Sequence, residues 1–234
     1  MSRFFKFILI ATTLLYAACN SKETGSKDID PETIYFDYQV WGDEGTDVVT
    51  VMLQYRLAGK NGPTLLLEEP GKVELDGELI NADSSKITGA FYEIQKPVKE
   101  FAGKHTIVFT DINLKQYNEE FIFQSFAFAD PLPDSLPRGD IIFELEGVGN
   151  KNYIRVVLTD TSRQHDGINR VDTVTNGRIT ITEKDLRDIS SGPVHLELIK
   201  EEERKVKNGT PEGGRMAVSY GLKREFKLVN SPQP

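Results

Sequence analysis

The sequence is poor in the residues that build disulfides, metal sites and catalytic centres. Its 234 residues include one cysteine and three histidines. A single cysteine excludes an internal disulfide, so any core must be stable through burial of apolar side chains alone. The zinc-protease, serine-hydrolase, P-loop and dinucleotide-binding motifs are all absent from the sequence. We therefore expect a protein that is not an enzyme and that holds no cofactor and no metal.

Positive charge and long apolar runs are also scarce. The formal net charge is -8, with 36 acidic against 28 basic side chains. A surface of that sign repels nucleic acid and anionic lipid. The most apolar stretch, Phe7 to Cys19, is shorter than the roughly 20 residues that cross a bilayer. We expect no nucleic-acid partner and no membrane-spanning helix.

That apolar stretch predicts an export signal. Arg3 and Lys6 precede it, and two alanines stand directly before Cys19. This is the basic start, apolar middle and small-residue exit of a secretory signal peptide. An ordinary A-x-A cleavage site fits less well, because Tyr16 stands where a small residue is required.

The end of the signal carries a resemblance. Residues 15–19, LYAAC, resemble the lipobox of a bacterial lipoprotein, in which the cysteine is acylated and becomes the first residue after cleavage. The resemblance implies that residues 1–18 are a signal peptide and that lipidated Cys19 anchors the protein to a membrane. Acyl chains contribute about 0.8 kcal/mol per buried CH₂, so two or three of them would hold the protein there stably.

Residues 19–32 are polar and charged without apolar periodicity, which predicts a flexible tether. Ser21-Lys22-Glu23 is similar to the lysine-and-acid pattern that accompanies surface display of lipoproteins in the Bacteroidetes. A plain solvated spacer explains the same residues equally well. We expect an outer-membrane location, and the sequence leaves open whether the folded part faces the periplasm or the cell surface.

Residues 33–130 alternate apolar and polar side chains with a period of two, as in Val49, Val51, Leu53 and Tyr55. Asp76-Gly77, between two such segments, is a strong hairpin signal. About seven short strands separated by turns predict an all-β domain, an immunoglobulin-like β-sandwich.

Three prolines between Asp130 and Pro137 predict an extended linker over residues 131–138. Alternation resumes over residues 139–231 and predicts a second sandwich. Within it, Asn176-Gly177 predicts a turn, Lys200 to Gly214 a charged loop, and Gly221 a kink in the last strand. The mature chain resembles, in its architecture, the Bacteroidetes lipoproteins that carry tandem immunoglobulin-like domains.

The first predicted strand carries two aromatic residues on its outward side. Tyr35 and Trp41 share their parity with Asp37 and Gln39. Aromatic rings cover the C–H patches of a sugar, and carboxylate and amide groups bind its hydroxyls, so the pattern is typical of a glycan-binding surface. The same pattern would arise if a neighbouring loop or domain covered both rings.

Two clusters of polar residues contain the residue types of a catalytic or metal-binding site, but each has a simpler explanation. Asp160 to Asp166 contains the residue types of a hydrolase, including His165, and a loop between strands needs the same polar residues in order to turn. Asp43, Glu44 and Asp47 offer oxygen ligands without the spacing of a calcium loop, so we expect a solvated hairpin tip.

Asp134-Ser135-Leu136 and Asp172-Thr173-Val174 resemble the acceptor sequence for O-glycosylation in the Bacteroidetes. The resemblance implies glycan attachment at Ser135 and Thr173. Hexose-sized additions in the intact mass of protein from its native host are the expected result, and a mass without them would contradict both sites.

Three classes of function follow from the sequence. The first is a non-catalytic, lipid-anchored binding module of the cell envelope with a protein or glycan partner. The second is a glycan-binding accessory lipoprotein of a polysaccharide-uptake system, which binds through Tyr35 and Trp41. The third is a hydrolase with a site near Asp160 to Asp166.

The anchor is tested by comparing wild type with Cys19→Ala in whole cells. We expect acyl chains in the intact mass of the wild type and none in the variant, because the thiol is the acylated atom. Cleavage of the wild type by protease added to intact cells would place it at the surface. An unacylated wild type would contradict the lipobox.

Overall fold

The computed structural model describes residues 24–85, 87–161 and 167–230. In this part the chain forms eighteen strands and a single 3₁₀ turn at Pro31–Thr33. No helix in these ranges is long and apolar enough to cross a membrane. The prediction of an all-β protein is confirmed.

The first sandwich pairs two four-stranded sheets. One has the order β2-β3-β8-β7 and the other β10-β9-β5-β6. In chain order this is the ABED sheet and the GFC-type sheet of an immunoglobulin domain. The strands are β2 (Ile34–Asp43), β3 (Val48–Leu57), β5 (Lys72–Leu75), β6 (Glu78–Leu79), β7 (Ala82–Ser85), β8 (Gly89–Pro97), β9 (Gly103–Thr110) and β10 (Gln116–Phe123), with the short β4 (Leu65–Leu66) beside them.

The second sandwich also consists of two packed sheets. One sheet runs β11-β13-β16 and the other β15-β14-β17-β18, with β12 parallel to the end of β18. Strands β11 and β12 both precede β13. β11 pairs in one sheet, whereas β12 lies parallel to β18 of the other sheet, and this division is compatible with an immunoglobulin-like strand order. The strands are β11 (Ala127–Phe128), β12 (Ser135–Pro137), β13 (Ile141–Glu146), β14 (Tyr153–Asp160), β15 (Ile168–Thr173), β16 (Arg178–Ile181), β17 (Gly192–Lys205) and β18 (Gly214–Val229).

A long hairpin joins the two sandwiches into one sheet. β17 and β18 have 14 and 16 residues, more than the second sandwich spans. The excess half of β18, Gly214 to Gly221, pairs in parallel with Phe36 to Asp43 of β2. One sheet therefore runs β15-β14-β17-β18-β2-β3-β8-β7 through both halves of the chain.

Both cores lie on the same side of this shared sheet. Along β18, Met216, Tyr220, Leu222 and Phe226 are buried, and they all have even numbers. Since alternate residues of a strand point to opposite faces, the odd-numbered residues point away from both cores. Tyr220 contacts Phe123 and Phe126 at ring-centroid distances of 5.9 and 5.8 Å.

The first core is aromatic. Phe109 packs against Phe36 and Tyr55, with ring centroids 5.2 and 4.5 Å apart. The hydroxyls of Tyr38 and Tyr55 lie 3.3 Å apart, so each buried phenol has a hydrogen-bond partner. Burial raises the pKa of both tyrosines, because the charged phenolate would lose its hydration there.

The predicted hairpin at Asp76-Gly77 and the predicted turn at Asn176-Gly177 are confirmed. Asp76 and Gly77 have φ of 50° and 85°, and Asn176 and Gly177 have φ of 52° and 74°. Two successive residues with positive φ define the type I′ turn that fits the twist of a hairpin. Asp76 also accepts hydrogen bonds from Thr106 N and shares one with the ring of His105.

Two segments predicted to be free of the fold belong to it. In the tether, β1 (Thr24–Gly25) pairs in parallel with β4, and Ser26 is buried. In the proline-rich linker, β12 pairs with the end of β18. Proline is compatible with an edge strand, so the prediction of a linker outside the sandwiches is wrong for residues 135–137, and that of a flexible tether is wrong from Thr24 onward. The predicted domain boundaries otherwise stay a prediction.

The predicted charged loop is wrong for Lys200 to Lys205 and holds for residues 206–213, and the predicted kink at Gly221 is wrong. Lys200 to Lys205 continue β17, and they pair with Tyr220 to Arg215 of β18 without interruption. Gly221 lies within this regular ladder, opposite Ile199. This half of the hairpin extends beyond the second core and has polar residues on both faces. It therefore lacks the alternation of apolar and polar residues from which a strand is predicted.

The hairpin tip is fixed to the first sandwich by a buried carboxylate. Glu119 of β10 has 3% of its side chain exposed and pairs with the guanidinium of Arg204. Its other oxygen accepts from the backbone N–H groups of Lys207 and Asn208, at 2.8 and 3.2 Å. Thr210 donates its hydroxyl to the carbonyl of Ile34, at 2.6 Å.

Replacing Arg204 with alanine should lower the free energy of unfolding by about 2–3 kcal/mol, because Glu119 would stay buried without its charged partner. Urea unfolding measures the loss. The control is Arg178→Ala, which removes the exposed ion pair with Glu144 and should cost under about 1 kcal/mol. Equal losses in the two variants would show that the hairpin is not held by this carboxylate.

Candidate binding face

The shared sheet has one face that points away from both cores, which we call the open face. It consists of the outward residues of β2, β18, β17 and β14. Their parity is opposite to that of the buried residues on the same strands. The members used below are Tyr35, Asp37, Gln39, Trp41, Arg215, Ala217, Ser219, Gly221, Ile199, Glu201, Glu203, Tyr153 and Arg155.

Trp41 is 38% exposed on this face. In the register of the sheet it lies between Thr50 of β3 and Ser219 of β18. Thr50 is buried, whereas Ser219 is partly exposed. A large ring beside a small side chain leaves one of its edges accessible to a ligand. The outward orientation predicted for Trp41 agrees with its position here.

Tyr35 is half-buried next to an ion cluster. Arg215 donates two hydrogen bonds to one oxygen of Asp37, at 3.1 and 2.8 Å, and Arg56 lies 3.5 Å from the other oxygen. Asp37 is only 5% exposed. Burial and the negative charge of Asp37 raise the pKa of Tyr35, so this phenol is neutral at physiological pH and can donate a hydrogen bond.

An open depression of about 860 Å³ lies beside Tyr35. Lys60, Glu203, Glu212 and Arg215 line it together with the tyrosine. Its wall combines one aromatic ring with donors and acceptors of both charges, which suits a polar ligand.

Tyr153 was missed in the sequence. Its side chain is 64% exposed at the start of β14, on the open face. The buried residues Ile154, Val156 and Leu158 alternate after it, and this alternation alone would have placed the ring outward. What the sequence could not provide is the strand order that brings β14 to the same face as β2.

The polar residues considered for hydrolysis and for calcium binding form hydrogen bonds within the protein where the structure describes them. Asp160 accepts a hydrogen bond from Ser190 N at 2.5 Å. Residues 162–166, with His165, lie outside the described residues. Asp43 accepts from the N–H groups of Gly45 and Thr46. In the described ranges, no three His, Cys, Asp or Glu side chains are grouped so that they could hold a metal.

The predicted modification sites lie in different places. Cys19 is outside the described residues. Ser135 is exposed at the start of β12, and Thr173 is exposed at the end of β15. Thr173 stands opposite Tyr153 in the register of the sheet. Glycan attachment at both residues stays a prediction.

Comparisons with known proteins give no family. No family model and no curated protein matches the chain. Among solved structures, DIP-gamma IG1+IG2 matches at 12% identity and a TM-score of 0.24, over 85% of this chain and 96% of that chain. Dpr11 IG1 bound to DIP-gamma IG+IG2 matches at 11% identity and a TM-score of 0.23, over 85% and 96%.

A third match is the Bacteroides ovatus mixed-linkage glucan utilization locus SGBP-B in complex with mixed-linkage heptasaccharide. It has 13% identity and a TM-score of 0.24, over 89% of this chain and 46% of that chain, so this chain spans about half of its length. Matches with such TM-scores carry no weight here. The immunoglobulin-like fold is assigned from the strand order and the packing of the sheets.

Proposed function

We propose that this protein is a non-catalytic binding module, anchored by lipidated Cys19 in the outer membrane, that holds its partner on the open face. The observation that carries the proposal is the exposure of Trp41 and Tyr153 on one side of a continuous sheet. Large aromatic side chains are costly to leave in water, and at binding sites they supply much of the affinity.

A continuous, hydrogen-bonded sheet is a suitable support for such a site. The backbone of β2 is hydrogen-bonded on both sides, to β3 and to β18. Its outward side chains therefore project from a fixed backbone, and little backbone entropy is lost when a partner binds.

A glycan partner is the form of this function that the open face favours over a protein partner. Trp41 is accompanied by Gln39, Ser219 and Glu201, which are accessible and offer hydrogen-bond donors and acceptors. A protein-binding core would be expected to carry a larger contiguous apolar patch.

Replacing Trp41 with alanine should weaken binding of the native partner about tenfold, since the loss of a buried aromatic anchor costs roughly 1–2 kcal/mol. Full-length protein immobilised at known density would be exposed to envelope extract and, separately, to a glycan array. The control is Ile142→Ala, which truncates an exposed side chain on the other sheet of the second sandwich. Unchanged capture by Trp41→Ala in both assays would contradict a site on the open face.

A further inference from the structure

Trp41 and Tyr153 belong to one row of residues that crosses the shared sheet. The register places Trp41 opposite Ser219, and Ser219 opposite Glu201. β17 and β14 are paired up to Lys200 and Ile154, and one more step of the same register sets Glu201 beside Tyr153. The two rings are three strands apart, a separation of about 14 Å at the usual spacing of strands.

The surface between the two rings is formed by short side chains. The outward residues of β18 around the row are Ala217, Ser219 and Gly221, all of them small. Gly221 is itself buried, and a Cβ placed on it would lie 4.0 Å from the Cβ of Asp43, so the accessible part of this surface is at Ala217 and Ser219, which are partly exposed. The larger side chains of β2 and β17 stand on either side, and a shallow trough follows β18 between them.

The ion pair of Arg155 and Glu201 supplies hydrogen-bonding groups to the row, and its two charges cancel. Arg155 donates from Nε and Nη2 to one oxygen of Glu201, at 3.2 and 3.1 Å. Its Nη1 contacts the side-chain oxygen of Asn169 at 3.3 Å. The pair is part-exposed, so it can exchange hydrogen bonds with the hydroxyls of a ligand. An anionic ligand would meet a protein of net charge -8 without an unpaired cation in the row.

We propose that the open face binds a neutral, linear oligosaccharide that lies across the strands, with one sugar on Trp41 and another on Tyr153. This inference rests on the proposed function and adds the ligand class and its direction. Two platforms at a fixed distance, with paired polar groups between them, match a chain whose apolar ring faces alternate with hydroxyls. Both sandwiches contribute to the site, since Trp41 is on β2 and Tyr153 on β14.

The other direction, along β2 from Trp41 to Tyr35, is obstructed. These rings are six residues apart, about 20 Å along the strand. The cluster of Arg215, Asp37 and Arg56 lies between them on the same face. A sugar placed there would have to displace water from the partly exposed guanidinium groups of Arg56 and Arg215, which costs more free energy than covering Ser219.

The test uses the only tryptophan of the chain as its own reporter. Full-length protein is titrated with neutral gluco-oligosaccharides of increasing length, both α- and β-linked, while the fluorescence of Trp41 and the heat of binding are followed. We expect the affinity to rise with length until the saccharide covers about 14 Å, and then to level off. Tyr153→Ala should weaken binding of the longer saccharides roughly fivefold to tenfold and leave the shortest unchanged.

Three further variants separate the directions. Tyr153→Phe keeps the ring and should bind like wild type. Ser219→Gln fills the trough and should weaken binding at least as much as Tyr153→Ala, whereas Ser84→Gln on the exposed edge strand β7 is the matched control and should not. Tyr35→Ala should change the affinity by less than about twofold, because Tyr35 lies outside the row.

Two outcomes would overturn the inference. If Tyr35→Ala lost binding and Tyr153→Ala did not, the ligand would run along β2, and the proposed binding function would still hold. If no neutral saccharide changed the fluorescence or released heat, the ligand class would be wrong. Capture of the native partner by wild type, lost in Trp41→Ala, would in that case still support the proposed function.

Discussion

The parallel pairing of β18 with β2 is the contact on which the rest of the structure depends. It extends over eight residue pairs, from Gly214 with Phe36 to Gly221 with Asp43. Without it, β2 would be the free edge of the first sandwich, with unpaired backbone groups that invite association with another chain. The pairing satisfies those groups and at the same time makes one sheet out of two. β18 thus completes a sheet of the first sandwich.

This pairing also constrains motion between the two sandwiches. In most tandem domains a short linker acts as a hinge, and their interfaces are small and polar. Here a hydrogen-bonded hairpin crosses the junction, and Glu119 holds its tip through Arg204 and two backbone N–H groups. Rotation of one sandwich against the other would break these bonds. A binding site with one ring on each sandwich requires such a fixed distance.

Much of the local structure was accessible from the sequence. Alternation identified the strands, and Asp76-Gly77 and Asn176-Gly177 identified turns, because both depend on neighbours in the sequence. The errors have a common cause. Thr24 pairs with Leu65 and Ser135 with Lys227, which lie 41 and 92 residues away, and Glu201 pairs with Ser219 in the part of the hairpin that leaves the second core. Their polar side chains gave no alternation, and only the tertiary fold determines that their backbones pair.

The residues of the candidate site also differ in how far the sequence alone identifies them. Trp41 was accessible because its parity is a property of one strand, whereas Tyr153 acquires its role only from the order β14-β17-β18-β2. The small residues Ala217, Ser219 and Gly221 are unremarkable in sequence, and β-branched residues would suit a strand better. A central strand that gives up packing area on its outward side loses some stability. That loss is understandable if the surface at Ala217 and Ser219 is kept for a ligand, which would cover these two residues when it is bound.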